Sequence, residues 1–112
     1  MAGIIAGLDP DRTVLGFSVL KGAEFLERRV VEFANGKMSW QILHEYHGGG
    51  YGKVTDQLLQ FIVNAKRQFD LPLDSVYTSK MMKGIFDLVQ RRFFRAGSKV
   101  LMLHTGGLQG NY

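Results

Sequence analysis

Tyr51 and Tyr77 stand 26 residues apart, the second runs directly into Thr78, and a further hydroxyl, Thr105, precedes Gly106-Gly107. A phenol can orient a carboxylate or pass a proton, and a threonine hydroxyl can donate to or accept from a ring nitrogen. Lys21, Lys53, Lys80 and Lys83 are candidate imine formers. Lys80, within a helix, reads better as a solvent-facing or ion-paired side chain. His44, His47 and His104 invite a metal, but no acidic residue is arranged with them, and no metal site is expected. The run Gly48-Gly49-Gly50-Tyr51-Gly52 has the permissiveness of a phosphate loop without the lysine and hydroxyl of a nucleotide site. Each of these residues also has a plainer reading. Tyr51 alone is a surface aromatic in a glycine loop, Tyr77 a strand tyrosine, Thr78 a helix cap, and Gly106-Gly107 a turn.

The elements that must position them alternate along the chain. Thr13 to Leu20 is almost continuously apolar, which predicts a strand buried on both faces and therefore parallel to its neighbours. Ala23, Leu26, Val30 and Phe33 recur at helical spacing before Asn35-Gly36, a left-handed stop. Trp40 to Tyr46 reads as a strand near the sheet edge. Thr55 is the cap expected for a helix to about Phe69, with Leu58, Leu59, Ile62, Ala65 and Phe69 inward. Val76-Tyr77 suggests a very short extended piece, and Thr78 or Ser79 caps a helix burying Met81, Met82, Ile85, Leu88 and Val89. Lys99 to Leu103 is the last strand. Such alternation predicts an α/β fold, a layered, mainly parallel sheet with helices packed on it. Ligands on such sheets gather at the C-terminal strand ends, where Tyr51, Thr78 and Thr105 would meet.

With 112 residues the chain is one domain at most, able to bury about two thirds of its unfolded surface. Its 46% hydrophobic and 21% charged content is ordinary for globular proteins, and 14 glycines imply many tight turns. Without cysteine it has no disulfide or thiolate site. The apolar start, Met1 to Leu8, is too short to span a membrane and meets Asp9-Pro10-Asp11, so a cytoplasmic protein is expected. The net charge of +4 rests on pairs such as Arg28-Arg29, Lys66-Arg67 and Arg91-Arg92, expected late in three helices where they suit the dipole. No continuous basic stripe accompanies them, and a nucleic-acid partner is not expected.

The order Gly50-Tyr51-Gly52, Tyr77-Thr78-Ser79-Lys80 and His104-Thr105-Gly106-Gly107 resembles the C-terminal third of 1-aminocyclopropane-1-carboxylate deaminases and D-cysteine desulfhydrases, pyridoxal-phosphate enzymes of fold type II. Ala2 to Leu8, Ser18 to Gly22 and Gly97 to Leu101 extend the resemblance over nearly the whole chain. It implies that residues 1–112 are a single incomplete α/β domain, part of a larger one. It implies Tyr51 and Tyr77 as catalytic phenols, and Thr78, Thr105 and Gly106 as cofactor contacts. The family's cofactor lysine and phosphate-binding turn belong to a preceding portion that this chain does not resemble, so it is expected to be inactive alone. Deaminases carry Glu where this chain has Thr78 and Leu where it has Thr105. Desulfhydrases carry small hydroxyl residues in both places, and the chain sides with them. The implied reaction is α,β-elimination on a small amino acid, with Thr78 donating to an unprotonated ring nitrogen. The implied partner is a second copy or a complementing N-terminal portion. A non-catalytic interaction module that self-associates or binds another chain is the competing reading.

Overall fold

Val14 to Phe17 and Trp40 to Leu43 pair as parallel strands, β1 and β2, in the register Val14↔Trp40 to Phe17↔Leu43. The computed structural model describes residues 1–34, 36 and 39–110. Before β1 lies α1 (Ala2–Gly7), between the strands α2 (Leu26–Phe33), and after β2 come α3 (Asp56–Phe69), α4 (Thr78–Gln90) and a 3₁₀ turn, Leu108–Gly110. The α/β class holds, and the β1-α2-β2 unit is the right kind of crossover for a parallel pair.

The sheet is smaller than the alternation predicts. All four residues of β1 are only half-buried, because the described residues supply a single neighbouring strand. Lys99 to Leu103 forms no strand, and Leu101 is 92% exposed. Val76-Tyr77 lies in a turn. A β-prone segment becomes a strand only when another backbone edge meets its N–H and C=O groups, and among the described residues none does so here.

Helix α3 follows its capping signal. Thr55 Oγ1 accepts the Leu58 N–H at 3.1 Å, as a cap should. Gly36 takes the left-handed conformation expected of a helix stop (φ 76°), while Asn35 lies outside the described residues. Lys66 and Arg67 occupy the last turn of α3 and Arg91 the end of α4, whereas Arg28 and Arg29 fall near the start of α2, which begins only at Leu26. Some expected core positions are open to solvent: Phe33, Leu59, Phe69 and Val89 are each about half exposed or more.

Two apolar clusters hold the layers together. Ile5, Val30, Ala34 and Ile42 join α1 and α2 to the sheet. Ala65, Leu73 and Met82 join α3 to α4, with Met102 from the last segment packed against them. Gly84 allows α4 to lie against β1, since a Cβ there would sit 2.5 Å from the Phe17 ring.

Candidate functional site

The first turn of α4 assembles the site. Asp74 precedes it and is 2% exposed. Its Oδ1 accepts the N–H groups of Val76 (2.8 Å) and Tyr77 (2.7 Å), and its Oδ2 accepts the Thr78 N–H (2.8 Å) and the Thr78 hydroxyl (2.5 Å). The cap expected from Thr78 or Ser79 is therefore made by Asp74, four residues earlier. Burial pushes the Asp74 carboxyl up, but hydrogen bonds from the Thr78 side chain and from the Thr78, Tyr77 and Val76 amides outweigh it and hold the group below the usual carboxylate range. An ionised carboxylate can only accept, so the Thr78 proton is committed to it. Thr78 Oγ1 also accepts the Asp74 N–H at 3.0 Å. One lone pair remains, which reverses the expected role: this oxygen can accept from a ring nitrogen but has no proton to give.

Tyr77 donates its phenol proton to Tyr51 Oη at 3.2 Å, and the rings meet edge to face with centroids 6.1 Å apart. That hydrogen bond, with some burial, raises the Tyr77 phenol above its ordinary range. Tyr51 receives the bond and keeps its own O–H for another acceptor. Its loop is sculpted by glycines at φ 65°, 103°, 129° and 70° (Gly48, Gly49, Gly50, Gly52), conformations that side-chain-bearing residues rarely adopt. Lys80, expected at the surface, is 2% exposed and donates to the Gly50 carbonyl at 2.9 Å.

Tyr77, Thr78 and Thr105 line one cleft of about 400 Å³ whose floor is apolar, with Leu15, Phe17 and Ile42 from the strands and Met81 from α4. Tyr51 and Gly106 lie outside its lining. Gly106 donates its N–H to His104 Nδ1 at 3.1 Å, and His104 Nε2 meets the Pro72 carbonyl at 2.8 Å, so this imidazole ties the 104–107 turn to the segment before α4. Gly107, at φ 89°, lies against Asp74: a Cβ there would be 3.1 Å from its Cγ. The close approach that Gly107 permits is to the capping carboxylate. His44 is bonded to Glu27 at 2.5 Å and His47 Nδ1 accepts the Gly49 N–H, and among the described residues no three potential ligands converge on a metal. The His44 contact holds the Glu27 carboxyl below its usual range.

The cleft suits the ring of the implied cofactor in volume, in its aromatic wall and in the free lone pair of Thr78. Its described lining holds no lysine for a tether and no cluster of cations for a phosphate. The fit is to one face of the cofactor.

The chain is 30% identical over its whole length to a Pyrococcus furiosus protein named "Putative 1-aminocyclopropane-1-carboxylate deaminase", covering 37% of that protein. It is 28% identical to the D-cysteine desulfhydrase of Yersinia enterocolitica over 95% of this chain and 36% of the relative. A 66-residue stretch is 38% identical to the 1-aminocyclopropane-1-carboxylate deaminase of Mesorhizobium japonicum, covering 59% of this chain and 20% of the relative. The chain is homologous to the deaminases and desulfhydrases. It spans little more than a third of the length of the relatives that match it from end to end. No family model matches it. Asp74 escaped the reading of motifs, and the burial of Lys80 ran against it. Asp74 carried a legible signal, an acidic residue just before a helix, whereas nothing local marked Lys80 for burial.

Proposed function

We propose that this chain forms the C-terminal, cofactor-ring-facing wall of a cytoplasmic pyridoxal-phosphate-dependent desulfhydrase-like or deaminase-like enzyme that acts on a small amino acid by α,β-elimination. The observation that carries the reading is the cleft itself: Tyr77, Thr78 and Thr105, 28 positions apart from first to last, share one hollow, and Tyr51 is bonded to Tyr77. Bound there, pyridoxal phosphate would supply the electron sink for bond cleavage at the substrate α-carbon. The chain's own residues do the rest. Tyr77 forms the aromatic wall, and Tyr51, held by Tyr77, presents a phenol proton to a carboxylate or leaving group. Thr78 would hold the ring nitrogen as an acceptor, with the Asp74 carboxylate bonded to its hydroxyl, an arrangement suited to a protonated ring. Thr105, which lines the cleft, would contact the bound cofactor, and Gly106, just outside the lining, would support that contact through the 104–107 turn. With no lysine in the described lining, the chain alone is inactive.

The test is complementation. Mixed with the separately expressed remaining two thirds of a D-cysteine desulfhydrase, the chain should restore release of pyruvate from D-cysteine, and Tyr51→Phe should depress that release at least tenfold. The chain alone with pyridoxal phosphate should give neither pyruvate nor, after borohydride, a stoichiometric lysine adduct. Such an adduct together with pyruvate from the isolated chain would overturn the assignment.

One observation favours a second reading, an interaction module that binds a second copy or another chain. The molecule exposes 7963 Å², against about 6,200 Å² for a typical monomer of 12.6 kDa. The excess is close to the total of about 1,600 Å² that a standard specific interface buries, roughly twice one partner's share. Light scattering decides: a monomer at high concentration that also ignores the complementing portion would remove this reading.

A further inference from the structure

Lys80 is the largest fully buried side chain of the molecule's described residues, and its charge has no carboxylate at ion-pair distance among them. Burying an ammonium is unfavourable unless strong acceptors replace its water. Burial holds this amine below its ordinary range, and the Asp74 carboxylate acts the other way. Its acceptor is the main-chain oxygen of Gly50, 2.9 Å away. The same oxygen accepts the Lys53 N–H at 3.1 Å, so both of its lone pairs are filled. Gly48 wraps the lysine stem, with Lys80 Cε 3.5 Å from where a Cβ would stand. The residue after Gly50 is Tyr51, and the residue three before Lys80, on the same face of α4, is Tyr77. One turn of one helix therefore grips the glycine loop twice, by an ammonium on the Gly50 carbonyl and by a phenol on the Tyr51 phenol.

We propose that Lys80 is a positioning residue: by clamping the Gly50 carbonyl it fixes the 48–52 loop and keeps the Tyr51 phenol against Tyr77. The clamp stands on geometry, and only its consequence for turnover rests on the function proposed above. A loop of glycines has many backbone conformations to lose, and two anchors from a rigid helix select one of them. An arginine could retain the donor, whereas a methionine of similar length could not.

The experiment uses the 112-residue chain, with Lys80→Met and Lys80→Arg compared by amide hydrogen exchange and by NMR titration of the tyrosine phenols. In Lys80→Met, exchange at residues 49–53 should accelerate at least tenfold more than exchange in α3, and the Tyr77 titration should fall toward that of a free phenol. Lys80→Arg should restore part of both. Tyr51→Phe should lower the Tyr77 titration without the loop-wide acceleration. Equal acceleration in α3 and the loop, with Tyr77 unmoved, would overturn the proposal and leave Lys80 as packing alone. Should the methionine variant not fold, the wild-type chain decides: Lys80 ammonium protons exchanging at the solvent rate would sink the clamp, and slow exchange with coupling to the Gly50 carbonyl would establish it. A Tyr51→Phe variant with full activity in the complemented enzyme would remove the catalytic role of Tyr51 and leave the clamp standing.

Discussion

Four donors converge on the Asp74 carboxylate, three of them main-chain amides at the start of α4. Removing the acceptor would leave buried N–H groups without partners, which costs about 1–3 kcal/mol beyond the loss of a cap at about 1 kcal/mol. Asp74→Ala should therefore lower stability by about 3 kcal/mol, measured by urea denaturation, and should free the Thr78 hydroxyl. The pH dependence has a definite sign. The folded-state pKa is depressed, so the stabilisation is fully present above the unfolded carboxylate range, about pH 4, and is lost as pH falls through the lower folded value. Asp74→Asn should flatten that acid limb in pH-dependent denaturation curves. Tyr77 titrates in the opposite sense: its phenol is raised by donating to Tyr51, so the bond is intact at neutral pH and is lost as pH rises through the elevated value.

Helix α4 is the element on which the site depends, because Thr78, Lys80 and Gly84 all lie on it and Tyr77 immediately precedes it. Its approach to β1 requires a residue without a side chain at 84, where a Cβ would fall 2.5 Å from Phe17 Cε1 and 3.0 Å from Tyr46 Cγ. Gly84→Ala gains helix propensity but must push the helix off the sheet, and overpacking of this kind costs about 1–3 kcal/mol. We expect a net loss by thermal denaturation, with the Tyr77–Thr105 cleft distorted. Helix α3 is different: it supports α4 from outside and is anchored by its own cap. Thr55→Ala should cost about 1 kcal/mol in the same assay and leave the tyrosine pair unchanged in phenol titration.

At the scale of the molecule the radius of gyration, 14.6 Å, exceeds the roughly 13 Å of a compact domain of this length. Large apolar side chains stand in the surface. Leu101, Leu103 and Val100 are exposed on the segment without strand structure, and the cleft floor is lined by apolar strand residues. No helix among the described residues is long and apolar enough to cross a membrane. Unpaired sheet edges and exposed apolar segments favour association with another polypeptide. Leu101→Lys should weaken binding of the complementing portion, read by calorimetry, while leaving the unfolding midpoint of the isolated chain unchanged, since the side chain it replaces is 92% exposed.

Much of this was legible in the chain itself. The Thr55 cap, the helix stop at Gly36, the parallel pairing of two strands and the sharing of one cleft by Tyr77, Thr78 and Thr105 follow signals written within a few residues or in the order of motifs, whereas Tyr51 lies outside that lining and reaches it through its bond to Tyr77. Such signals act through local backbone geometry and the period of apolar residues, which a sequence states directly. Tertiary structure alone decided that Lys99 to Leu103 forms no strand, that Lys80 is buried against a carbonyl 30 positions away, and that Thr78 surrenders its proton to Asp74. A strand needs an edge, an ammonium an acceptor and a hydroxyl a direction, and each is supplied by atoms whose nearness only the folded chain determines.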